Sequence, residues 1–262
     1  MPLFEYLETY PWFIGAIVLV AVFVLFTIVG VIFVRSFVRP KTLQAHHDVA
    51  GFLFNNLGVL YGVLLGFMVV NVQQRFDKIK ESIHIEASYL AELYHNAEIF
   101  PEKNKHEIQS AVKSYGENVL NDEWDLMSKG IHSASTAKSL KGIWKAHYDT
   151  DPATAKHRSW YSQSISDLNN LMKVRLLRLS ESQSRLGAEM WSMLILGGIV
   201  MMTFTWFFQV KNLAFHIIMA SLLAAITAFI LFLIYSLDTA FSGEISVPRE
   251  AIEQVLKSFE QV

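Results

Sequence analysis

The chain contains no cysteine, which excludes disulfides, thiolate catalysis and iron–sulfur clusters without naming a compartment. Charge is scarce too: charged residues make up 18% of the chain against 52% hydrophobic, and they crowd into its middle. With 24 acidic and 22 basic residues the net charge is -2, so nothing points to nucleic acid as a partner. Catalytic motifs are missing as well. There is no H-E-x-x-H, no G-x-S-x-G and no phosphate-cradling glycine loop. His46 and His47 are adjacent and would diverge on a helix rather than share a metal. The acidic run NDEWD (Asp122, Glu123, Asp125) lacks the spacing of a calcium loop and reads as a solvated turn. The expectation is a protein with no catalytic residue, no metal and no cofactor.

What the sequence does contain is long uncharged stretches. Pro11 to Val34, Val49 to Gln74, Met190 to Val210 and Asn212 to Leu237 each hold no Asp, Glu, Lys or Arg. As helices, each is long enough to cross a hydrocarbon core of roughly 30 Å. The N-terminal tail MPLFEYLETY has no basic residue and leads into an uncharged run too long for a signal peptide, so Trp12 to Val34 reads as a retained span. The predicted fold is an all-α membrane protein with four transmembrane helices in a 2+2 layout. Residues 1–75 carry the first two spans, 76–188 a helical extramembrane domain, 189–238 a hairpin of spans three and four, and 239–262 a C-terminal tail. Pro40 breaks the basic link between the first two spans. Pro101, Pro152 and the loop-like KGIHSASTAKS punctuate the polar block.

Basic residues give two answers about orientation. Arg35, Arg39, Lys41 and Lys211 lie in the short loops, and the N-terminal tail has none. Arg75, Lys78, Lys80, Lys173, Arg175, Arg178 and Arg185 flank the polar block. Short loops weigh more than long segments, so the polar block and both termini are expected on the outer side of the membrane.

Within the polar block, apolar residues step by three and four at Phe76, Ile79, Ile83, Leu90, Leu93 and Ala97, and Glu86 interrupts them. The segment returning to span three shows the same stepping at Ile165, Leu168, Met172, Leu179 and Leu186, with Arg175 in the stripe. If both helices leave the membrane straight and pack antiparallel, Glu86 and Arg175 stand level, about 16 Å out. A half-buried carboxylate needs a partner, so the expected pair is Glu86 with Arg175, fixing register. The alternative is that Glu86 lines an ion path.

Span two is the most informative. Gly51, Asn55, Gly58, Gly62 and Gly66 share one stripe, which suits either close helix packing or the lining of a narrow pore. Asn55, Asn56, Tyr61 and Asn71 are polar in or near hydrocarbon, so some of them face protein or water. Span four offers Ala220, Ser221, Ala224, Ala225 and Ala228 as a partner for the glycine face. Asp238 ends span four on the side of Arg75, giving an expected interfacial ion pair, and His216 reads as a snorkelling histidine at the other end. No ionisable Asp, Glu, Lys or Arg lies deep in a span, which argues against a proton-driven stator.

The stretches HHDVAGFLFNNLGVLYGVLLGFMVVNVQQRFD, IEASYLAELY, NDEWDLM and HIIMASLLAAITAFILFLIYSLDTAFSG resemble bacterial membrane proteins labelled bestrophin-like. The resemblance covers nearly the whole chain. The family pattern emphasises Glu86, Trp124, Asp238, Phe241, Ser242 and Gly243, and Ala240 stands where that pattern has proline. The likeness to bestrophins implies a homo-oligomeric ion channel of the bacterial inner membrane, its partners being further copies of the chain, lipid and inorganic ions. A non-conducting scaffold or sensor that signals through the helical stalk is the alternative.

Overall fold

The computed structural model describes residues 11–38, 47–208, 210–243 and 245–261. The N-terminal tail and the link residues Arg39, Pro40, Lys41 and His46 lie outside these. The described residues are helical: α1 (Trp12–Phe37), α2 (His47–Asn96), α3 (Glu102–Asn118), a π-helical turn (Val119–Glu123), the short α4 (Trp124–Met127), α5 (Ala134–Tyr148), α6 (Ala155–Gln183), α7 (Ala188–Trp206), α8 (Leu213–Asp238) and α9 (Glu250–Ser258). Four of these helices, α1, α2, α7 and α8, are long and apolar enough to cross a membrane. The chain is therefore an all-α, multi-pass membrane protein with a helical segment between its second and third spans.

Local chemistry sets the helix boundaries. Pro101 precedes α3, and Pro152 lies in the loop before α6. Ser133, Thr154 and Asn212 accept backbone N–H groups at the starts of α5, α6 and α8. The Ser133 cap makes KGIHSASTAKS only half a loop: Gly130, at φ 69°, turns the chain, and from Ala134 the segment is helix. The chain divides into two compact units, one of residues 1–74 and 186–245, the other of 75–185 and 246–262.

In the first unit α1 lies against α8, with Ala16 and Leu19 packed on Ala228 and Phe232. Ala228, one of the small residues of span four, thus meets span one rather than the glycine face of span two. Gly30 in α1 is covered by the Trp206 ring of α7, leaving no room for a side chain. Tyr61 of α2 fills the groove over Gly197 and Gly198 of α7, and its hydroxyl donates to the Leu194 carbonyl at 2.8 Å. After α8, Ser242 N–H donates to the Thr239 carbonyl at 3.0 Å, and Gly243 at φ 73° supplies the left-handed residue that ends this turn.

The second unit has a continuous apolar core. Ile79, Ile83, Leu90 and Leu93 of α2 and Ala97 just after it are buried with Ile108, Val112 and Tyr115 of α3, Ile143 of α5, Leu168 and Leu171 of α6 and Ile252 of α9. α2 and α6 run antiparallel: Lys78 meets Glu181 at 3.4 Å, and Asn96 donates to Asp167 at 3.0 Å. Tyr94 stacks on Phe259 at 3.8 Å, so residues after Ser246 belong to this core.

Candidate functional site

Four charged residues in the second unit's core, Glu86, Glu123, Arg175 and Arg178, form one network. Glu86 is fully buried in α2. Arg178 of α6 donates from Nε to Glu86 Oε2 at 2.6 Å and from Nη2 to Oε1 at 3.1 Å. The Tyr115 hydroxyl donates to Glu86 Oε1 at 2.5 Å. Arg178 Nη2 also reaches Glu123 Oε2 at 2.8 Å, and Arg175 clasps the same carboxylate through Nη2 at 2.5 Å and Nε at 3.3 Å. Two carboxylates and two guanidiniums cancel, and each carboxylate holds a bidentate arginine. Burial, reinforced by the Glu86 charge, pushes the Tyr115 phenol well above its ordinary range and keeps it a donor. Burial alone would lower Arg178, but the charge of Glu86 and its hydrogen bonds hold it above its usual value.

The guanidinium on Glu86 is therefore that of Arg178, not Arg175. Side chains on a helix lean toward its N-terminus. Between antiparallel helices, residues at the same height lean apart, and the two that meet are offset by about a turn. Glu86 and Arg175 are level, so Glu86 leans down to Arg178 while Arg175 leans away to Glu123. Glu123 itself falls in NDEWD, which is not a solvated turn here: Glu123 and Trp124 are buried. The π-helical turn at Val119–Glu123 shifts the helix phase and rotates Glu123 inward. Arg249 stands over the Trp124 ring at 5.6 Å and reaches Asp125 at 3.0 Å.

In the first unit, the polar residues of span two separate onto two faces. Tyr61 is the inward one, packed on α7, and the Phe54 ring lies 5.2 Å from that of Phe208. A Cβ at Gly58 would touch Met201 at 3.4 Å. A Cβ at Gly51, Gly62 or Gly66 would meet nothing within 4 Å, and Asn55 and Asn71 are exposed. Among the described residues the stripe is thus uncovered at Gly51, Gly62 and Gly66 and touched at Gly58. Asn56 satisfies itself on the Phe52 carbonyl at 3.1 Å.

At the end of α8, Asp238 accepts the Leu186 N–H at 2.9 Å and the Trp191 indole N–H at 3.4 Å, fixing the turn into α7. Arg75, in the other unit, donates to the Ser184 carbonyl. His216 does not snorkel: it is buried, with Nε2 at 2.9 Å from the Thr205 carbonyl. Among the described residues no cluster of histidine and carboxylate side chains is arranged to hold a metal.

A buried, neutral charge network and four spans, one with an uncovered uncharged polar stripe, define an all-α integral membrane protein. The chain belongs to the bestrophin-like family, whose model, the Bestrophin-like domain, matches residues 21–252. Two crystal structures of point mutants of a bacterial bestrophin homolog from Klebsiella pneumoniae are similar to it. One shares 13% identity with a TM-score of 0.68, covering 94% of this chain and 98% of that one. The other shares 14% with a TM-score of 0.67, covering 94% and 99%. A crystal structure described as a membrane protein shares 15%, with a TM-score of 0.69 and coverage of 94% and 97%. At these identities the likeness is one of fold. No curated protein matches the chain.

Proposed function

We propose that the protein is a homo-oligomeric ion channel of the bacterial inner membrane, with the glycine and asparagine stripe of span two lining the shared pore. The observation that carries this reading is the stripe itself. Among the described residues a Cβ added at Gly51, Gly62 or Gly66 would meet nothing within 4 Å beyond its own helix backbone, and Asn55 beside them is exposed. An uncovered asparagine amide suits water or another copy, since hydrocarbon would leave it unsatisfied, and glycines allow a close approach of either. One four-span subunit has too few helices to enclose a water-filled path, so copies share it. The stripe carries no formal charge, so ions would meet amide and backbone dipoles. Its capacity for close helix packing supports the second reading, a non-conducting scaffold or sensor assembled through the same face. In both, the short basic loops lie inside, with the helical domain and both termini outside.

The absence of native cysteine makes the test clean. Single cysteines are introduced along span two, and a charged, membrane-impermeant thiol reagent is applied to the assembled protein. A water-filled pore predicts that Asn55→Cys and Gly62→Cys react and that flux changes. Leu60→Cys and Val63→Cys, on other faces, stay protected. Uniform protection along the span rejects the lining role.

A further inference from the structure

A cavity of about 650 Å³ opens in the first unit beside the loop joining α7 to α8. Phe54, Phe208, Met219 and Leu223 make its walls apolar, and Lys211 stands among its lining residues. Among the described residues no carboxylate lines it, and Lys211 is exposed with no acidic partner. Arg35 reaches the same end of the unit, donating through Nη2 to the carbonyl of Val210, another lining residue. Its Nε is buried and has no partner among the described residues. His216 adds a third polar feature. It is 3% exposed, it lines the cavity, and it keeps Nε2 on the Thr205 carbonyl. In the neutral ring Nδ1 is then an acceptor, and it has no donor among the described residues.

We infer that this cavity is a binding site for one anionic phospholipid, with an acyl chain in the apolar part and the phosphate on Lys211. Lys211 sits in a short loop between two spans, which is the depth at which lipid phosphates lie. A lysine with no carboxylate among the described lining residues selects a negative headgroup, while the aromatic and aliphatic walls match a hydrocarbon tail. The side toward Met219, which is 61% exposed, gives the chain a way in from the bilayer.

The test is native mass spectrometry of the full chain, released from detergent holding equal amounts of phosphatidylglycerol and phosphatidylcholine with identical acyl chains. The site predicts one retained phosphatidylglycerol per chain, favoured about tenfold over phosphatidylcholine. Lys211→Gln should cut that preference about fivefold. Met219→Trp, a change at an exposed position that leaves the packing untouched, should block the mouth and remove retention of both lipids. Equal retention of the two lipids by the unaltered protein overturns the proposal. So does a phosphatidylglycerol preference that survives in both variants, since that is lipid held elsewhere on the surface.

Discussion

Arg178 is the residue on which the second unit's buried ion-pair network turns, because among the described residues it alone touches both Glu86 and Glu123. Arg178→Leu strands Glu86 with only the Tyr115 hydroxyl, and stranding a buried charge typically costs about 3–5 kcal/mol. Arg175→Leu leaves Glu123 held by Arg178, so its cost is expected to be smaller. Denaturant unfolding of the purified protein followed by far-UV circular dichroism should rank them in that order. A double-mutant cycle should show strong coupling of Glu86 to Arg178 and little to Arg175; the reverse would contradict the network. His147 gives a second prediction. It is buried in α5, its Nδ1 lies 2.9 Å from the Ile143 carbonyl, and burial lowers its proton affinity below that of a free histidine. The unfolded chain takes up this proton more readily. Its contribution is therefore complete above the unfolded histidine pKa of about 6.5 and is lost as pH falls from there through the lower folded value. His147→Phe should flatten that acid-side loss of stability, and an unchanged pH profile would remove the residue from the account.

Helices as elements were legible in the sequence, but their partners were less so. The stripe through Ile79, Ile83, Leu90 and Leu93 fixed which face of α2 is buried and put Glu86 inside it. Arg178 is hidden in the sequence because the apolar stepping from Ile165 passes it by, whereas the buried row runs through Leu168, Leu171, Arg175, Arg178 and Ser182. Glu123 escaped because a π-helical turn adds a residue to the period, and no motif in NDEWD marks it. Composition alone could not show that the alanines of span four pack on span one. Small residues permit a close approach without choosing the neighbour. Two glycines now separate packing within the chain from packing beyond it. Gly30→Leu should destabilise the isolated subunit by about 1–3 kcal/mol, because the Trp206 ring occupies the space. Among the described residues a Cβ at Gly62 would meet nothing within 4 Å, so the effect of Gly62→Leu is expected in assembly or flux rather than in subunit stability. Thermal melts in detergent, beside size-exclusion profiles, read the two effects apart. Equal loss of subunit stability from both would contradict the open stripe.

At the scale of the whole molecule, the spans divide two and two around a helical block, and the bestrophin-like match covers nearly the entire length. Orientation rests on Arg35 and Lys211 with their short loops. Trypsin confined outside intact cells should cut at Lys129, an exposed residue in the turn before α5. Protection of Lys129 in cells, with cutting only after lysis, would reverse the topology. Conduction is tested most directly by ion flux from liposomes containing only the purified protein. A shared pore predicts that a preset ion gradient collapses rapidly, and that Gly62→Leu slows the collapse while the oligomer survives. A gradient that persists, in liposomes shown to hold the assembled protein, would contradict the channel and leave the scaffold.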